Sequence, residues 1–244
     1  MSDTSHEPDE NVFPTSDAKD VLRALVADAI SPIPYANPIF TRIIRSKLEK
    51  RQEKFFRRFF EDFQRLEKNF EDFKVSLEQN ETFTSTYVEI VRSVIATHDQ
   101  EKLDALRNAL LNSALPDAPD DIQQKIFVQW INDLTSWHLK ILSGFETERI
   151  PFVDLDQPQW EKNSAFSELA DVFDAKFPQL ADQHDLFVQI IRDLRNKGLI
   201  ANLTPERHML TRINTGPKLT PLSKGFLKFI KSPLPPPTNG SSDK

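Results

Sequence analysis

The sequence predicts a mainly α-helical fold: a helical bundle with one very long helix, followed by a small α+β domain. Three observations lead there. Phe56, Phe59, Phe63, Leu66, Phe70, Phe73 and Leu77 recur at alternating spacings of three and four, the seam of a long helix. Apolar residues keep helical periodicity as far as Ile141, with only 5 glycines in 244 residues to make tight hairpins. Beyond Gly198 the rhythm changes to short apolar runs separated by polar, turn-forming residues.

Each element has its own local signal. Residues 1–15 are polar and read as a disordered tail, and 16–145 as the helical bundle. A short helix carrying Val21, Leu22, Leu25, Val26 and Ile30 is ended by Ser31-Pro32-Ile33-Pro34. Asn37 is a good N-cap and Pro38 suits the first helical position, so the long helix is placed at 38–78, about 60 Å at 1.5 Å per residue. Ile43, Ile44, Leu48, Phe55 and Phe60 widen its apolar face, which favours an intramolecular bundle over a two-chain zipper. Helices are placed near 83–97 and 100–114, with Thr97 and Gln100 as a capping box between them. The loop at Pro116 to Asp120 precedes a helix over 120–143, closed by Gly144.

Residues 146–162 are acidic, non-periodic and interrupted by Pro151 and Pro158, the composition of a linker. The second domain is placed at 163–232. It has helices near 164–175 and 184–197, a strand over Leu199 to Leu203, a return at Pro217 to Thr220, and a last helix with Thr220 as cap and Pro221 at its first position. Residues 233–244 are Pro/Ser-rich and read as a second disordered tail.

Composition removes whole classes of chemistry. There is no cysteine, which excludes thiol catalysis, iron–sulfur clusters and cysteine-ligated zinc. His6, His98, His138, His184 and His208 are scattered without metal-ligand spacing, and His138 reads as a satisfied core or boundary residue. No Gly-x-Gly, Walker-type Gly-Lys-Ser/Thr, His-Glu-x-x-His or Gly-x-Ser-x-Gly occurs. No metal or other cofactor is therefore expected. The start, Met1 to Asp20, is acidic and lacks the basic and apolar regions of a signal peptide. The longest uncharged stretch, Ala29 to Thr41, is 13 residues long and contains three prolines, short of the ~20 apolar residues of a membrane span. A cytoplasmic protein without a transmembrane segment is expected.

The net charge of −6 conceals a split. From His184 onward ten Lys/Arg stand against four Asp/Glu, a balance of +6, so the remainder carries −12. Arg192, Arg195 and Lys197 fall on one helix, with Arg212 and Lys218 near the polar excursion; these five are the candidate nucleic-acid contacts. A second basic run lies between Arg42 and Arg58, with eight Lys/Arg and two carboxylates, Glu49 and Glu53. Interleaved with Phe55 and Phe56, it suits a solvated helix face, an anionic membrane or a nucleic acid.

Three resemblances add to this reading. Ile190 to Ile200, followed by Leu219-Thr220-Pro221-Leu222-Ser223-Lys224-Gly225-Phe226-Leu227, resembles a winged helix, which implies two strands joined by a wing and a third helix able to enter DNA. The whole chain resembles a loose set of uncharacterised bacterial proteins, through Glu101-Lys102, the run Arg107 to Asn112 and the winged-helix-like end. That set extends to proteins associated with antiviral defence, and it carries no activity over residue by residue. Arg92 and His98, five residues between them, resemble the Arg-x(4–6)-His pattern of HEPN ribonucleases, in which arginine holds the scissile phosphate and histidine moves the proton. The sequence thus leads to a non-enzymatic binding or regulatory protein acting by protein–protein contact. The alternatives are a DNA-binding regulator, a HEPN-like ribonuclease and a peripheral membrane effector.

Overall fold

A computed structural model describes residues 38–66, 80–146, 171–181, 183–201 and 219–235, with side chains from Ser46 onward. The tail expected at 1–15, the helix at 21–30, the cap at Asn37, most of the linker at 146–162 and residues 236–244 lie outside the described residues. So do Phe70, Phe73 and Leu77 of the aromatic seam. The chain divides into two compact units, Met1–Val128 with Ile230–Lys244, and Gln129–Phe229.

In the first unit, α1 (Pro38–Leu66) packs against α2 (Glu81–Ala96) and α3 (Gln100–Ser113), which also pack on each other. Phe55, Phe56, Phe59 and Phe63 are 3–5 % exposed, and they meet a core that includes Ile90, Val91, Val94, Leu106, Leu110 and Leu111. Phe56 lies against Tyr87, ring centroids 5.7 Å apart. Polar contacts fix the same arrangement. Arg51 Nη1 donates to Ile95 O (3.1 Å) and Thr97 O (2.7 Å), satisfying carbonyls left open at the end of α2. Arg107 Nε on α3 lies 3.1 Å from Asp62 Oδ2 on α1.

Helix ends obey local chemistry. Asn80 caps α2 through its side chain, accepting from Phe83 N. The start of α3 differs from the expected Thr97–Gln100 box: Asp99 is the cap, its carboxylate accepting from Glu101 N and Lys102 N. Asp120 Oδ1 accepts from Gln123 N at the start of α4 (Asp121–Asp133). The single helix expected over 120–143 is two, because Thr135 caps α5 (Ser136–Gly144) with a full capping box. Gly144 is the last helical residue and Phe145 the cap, so that glycine is not used for its conformational freedom.

The second unit holds the rest of α4, α5, helical residues 171–176 (α6), a 3-10 turn at Pro178–Leu180, α7 (His184–Asn196) and α8 (Pro221–Ile230). α5 packs on α7. Phe173 stacks on Phe187 at 3.8 Å, and Trp130 meets Phe226 edge-on at 5.4 Å. α7 closes in a Schellman motif: Gly198 N donates to Arg195 O (2.8 Å) and Leu199 N to Leu194 O (2.9 Å), with Gly198 at φ 71°.

In this unit the α+β expectation is corrected. Among the described residues there is no β-strand; the two segments expected to form strands meet at one antiparallel bridge, Ile200 with Leu219. The physical reason is local. Leu199 and Ile200 are buried as core anchors, and Thr220 N already donates to Leu199 O where α8 is about to begin. Thr220 also donates its hydroxyl to Gly198 O (2.8 Å) and accepts from Ser223 N, capping α8 directly. Downstream of the bridge the chain passes straight into α8, so among the described residues the pairing stays a single bridge. The described fold is all-helical, and the winged-helix reading falls with the strands it required.

Two substitutions test the packing of the first unit. Phe63→Ala should lower stability by about 3–5 kcal/mol, the range for truncating a core phenylalanine, in urea unfolding monitored by circular dichroism. Burial raises Tyr87 above its ordinary value of 10.0 by penalising the phenolate, so the folded state favours the phenol. That contribution is complete below pH 10.0 and is lost as pH climbs through the raised value. Tyr87→Phe should therefore shallow the alkaline fall in the urea midpoint.

Candidate binding surface

Burial of the aromatic stripe decides what α1 shows to solvent. At about 100° per residue, Phe55, Phe56, Phe59, Phe63 and Gln52 occupy one side of the helix. The opposite arc, about 120° wide, carries Lys47, Lys50, Lys54, Arg57, Arg58 and Arg65, all exposed, with Gln64 and one carboxylate, Glu61. Glu53 lies at its edge, and Glu49 further round towards the phenylalanines. Arg57 Nη2 meets Glu53 Oε1 at 2.8 Å, and Arg65 Nη1 lies 3.7 Å from Asp62 Oδ1. Among the described residues, Lys47, Lys50, Lys54 and Arg58 have no carboxylate partner. The result is a positively charged strip on the solvent side of α1.

The C-terminal candidates are not assembled in this way. Lys197 Nζ is paired with Asp133 Oδ2 at 3.0 Å. Arg192 and Arg195 are half-buried and engaged in contacts of their own. Asp193, between them, accepts from Gln189 Nε2. Arg212 and Lys218 lie outside the described residues. The DNA-recognition role assigned to α7 depended on the winged helix and is withdrawn with it.

Arg92 and His98 are both exposed, and among the described residues neither has an ion-pair or hydrogen-bond partner. α2 ends at Ala96, and Thr97 turns into extended backbone (φ −109°, ψ 146°). His98 therefore stands beyond the helix that carries Arg92, and among the described residues no carboxylate orients its ring.

Two polar constellations go beyond what the sequence specifies: His138 is the satisfied, buried residue expected, but its role as a cap is new, as is the role of the Arg107–Asn112 run. His138 closes the capping box of α5: Thr135 N donates to its Nδ1 (3.3 Å), and Thr135 Oγ1 lies 2.7 Å from the same atom. Nδ1 must then be an acceptor, which places the ring proton on Nε2, facing Asp193 Oδ2 at 3.4 Å. The sequence signal is there in Thr135 and His138 at capping-box spacing, but histidine is an unusual third residue for that motif. The second constellation gives the Arg107–Asn112 run a structural meaning. Asn108 Nδ2 donates to Ile230 O (3.0 Å) and Asn112 Nδ2 to Lys231 O (2.8 Å), while Ala109, Leu110 and Leu111 are buried. The motif is a clamp on those two carbonyls.

Among the described residues no group of three or more His, Asp or Glu could hold a metal ion, and no helix is long and apolar enough to cross a membrane. The chain matches no protein-family model, no curated protein and no solved structure. The resemblance to bacterial proteins with a winged-helix-like end is thus corrected: among the described residues the strands it requires are absent, and no family model matches the chain.

His138→Gln should preserve the cap of α5, since glutamine is a standard third residue of a capping box. His138→Ala should lose about 0.5–1.5 kcal/mol, the net worth of a typical hydrogen bond. Thermal unfolding of the two variants side by side tests the assignment, and equal losses would count against it.

Proposed function

We propose that this chain is a non-enzymatic binding protein that acts by protein–protein contact, through the basic face of α1 and against an acidic protein surface. The observation that carries the reading is the exposed strip Lys47, Lys50, Lys54 and Arg58, unpaired among the described residues, in a chain of net charge −6. Cations that face solvent at three- and four-residue spacing match carboxylates repeated at the same spacing on a partner helix. Glu61, set within the strip, offers a place for a partner's cation and would repel a polyphosphate. Of the described α1 aromatics, Phe55, Phe56, Phe59 and Phe63 are buried and Phe60 half-buried, so the strip presents no platform on which bases could stack. Over Ser46–Leu66, burial of these rings leaves no apolar face for insertion into lipid. The site of action in this proposal is the cytoplasm, where a chain without cysteine needs no oxidising environment.

The test is fluorescence anisotropy with labelled poly-L-glutamate, a single-stranded RNA and anionic vesicles, at low and physiological salt. Preferential binding to the polypeptide, weakened by salt and lost when Lys47, Lys50, Lys54 and Arg58 are all changed to Glu, is expected. The quadruple variant should keep its melting temperature within a few degrees, because these side chains are on the surface. Preference for RNA or vesicles would overturn the proposal, as would RNA cleavage that disappears in a folded Arg92→Ala, His98→Ala variant.

A further inference from the structure

The basic face of α1 has a candidate occupant within the same chain. Met1 to Asp20 contains Asp3, Glu7, Asp9, Glu10, Asp17 and Asp20 against a single Lys19, and 17 residues separate it from α1. We infer that this acidic segment docks on the strip formed by Lys47, Lys50, Lys54 and Arg58, and that an acidic protein partner must displace it. The inference rests on the reading of that strip as a protein-contact surface and names how the surface is regulated.

Charge complementarity is its first support. Asp3, Glu7 and Glu10 are spaced four and three apart, and Asp17 and Asp20 three apart; Lys47, Lys50, Lys54 and Arg58 are spaced three, four and four. Reach is the second. The 17 residues between Asp20 and Pro38 span at most about 55 Å, and α1, with its 29 residues, is about 43 Å long. The segment can therefore meet any point along the helix. Attachment is the third, because a tethered segment acts at an effective concentration in the millimolar range, where charge pairs too weak to hold two separate molecules suffice. Solvent-exposed pairs of this kind are screened within about 8 Å at physiological salt. The contact is accordingly one that a better-matched acidic surface can replace.

Two measurements on the full chain separate this inference from the reading beneath it. A zero-length carbodiimide joins a carboxylate to a lysine amine only where the two touch. In dilute protein at low salt it should link carboxylates of Met1 to Asp20 to Lys47, Lys50 or Lys54, and high salt should abolish the links. Absence of such links at low salt overturns the inference. In parallel, the variant with Asp3, Asp9, Asp17 and Asp20 changed to Asn, and Glu7 and Glu10 to Gln, should bind labelled poly-L-glutamate about tenfold more tightly than the parent chain. Equal binding by both overturns self-docking while leaving the contact surface standing. No binding by either overturns both.

Discussion

Burial of four phenylalanines on one side of α1 is the constraint on which the first unit depends. Phe55, Phe56, Phe59 and Phe63 have no polar atom to direct them, so packing against α2 and α3 is what fixes the rotation of the helix. Once that rotation is set, Arg51 faces the open carbonyls of α2 and Asp62 faces Arg107 of α3. The remaining cations are then forced outward. The charged surface is a by-product of the core, and neither can be altered by rotating the helix without disturbing the other.

The first unit is largely legible in the sequence because its signals are periodic and local. The Phe stripe, the apolar faces of α2 and α3 and the acidic start of α4 each repeat or sit at a fixed offset from a cap. Misplaced details share one cause, competition between neighbouring capping groups. Thr97 and Asp99 both suit the start of α3, and the shorter carboxylate reach from Asp99 wins two backbone donors. Thr135 resembles an interior residue of a long helix until its hydroxyl is paired with His138 N. A break of that kind is invisible to hydrophobic periodicity, since Leu134, Leu139 and Leu142 stay apolar and buried on either side of it.

The second unit is less legible, and the reason is physical. Gly198 is recognisable as a helix terminator, and its backbone adopts the left-handed conformation that role requires. The conformation of the chain beyond such a glycine is not a local property. Leu199 and Ile200 fit a strand as well as they fit a buried turn, and in the fold Thr220 meets them from the start of α8, its N–H donating to Leu199 O and its hydroxyl to Gly198 O. Strand formation needs a partner of sufficient length, whereas a capping hydroxyl needs one residue. The candidate site suffers likewise: Lys197 is available in sequence, yet in the fold Asp133, 64 residues away, lies beside it. Basic residues on α1 are legible as a run, but their shared exposure depends on which side the phenylalanines occupy.

The asparagine clamp bears on how the protein is made. Asn108 and Asn112 hold carbonyls 122 and 119 residues further along the chain, at Ile230 and Lys231. A ribosome delivers α1, α2 and α3 long before those carbonyls exist, so the first unit to emerge is the last to be completed. The contiguous stretch Gln129–Phe229 has all its own parts as soon as it leaves the exit tunnel. Until Ile230 and Lys231 arrive, the Asn108 amide is left to water, whereas Asn112 already donates to Asn108 O (2.9 Å) within α3 and only gains a second carbonyl.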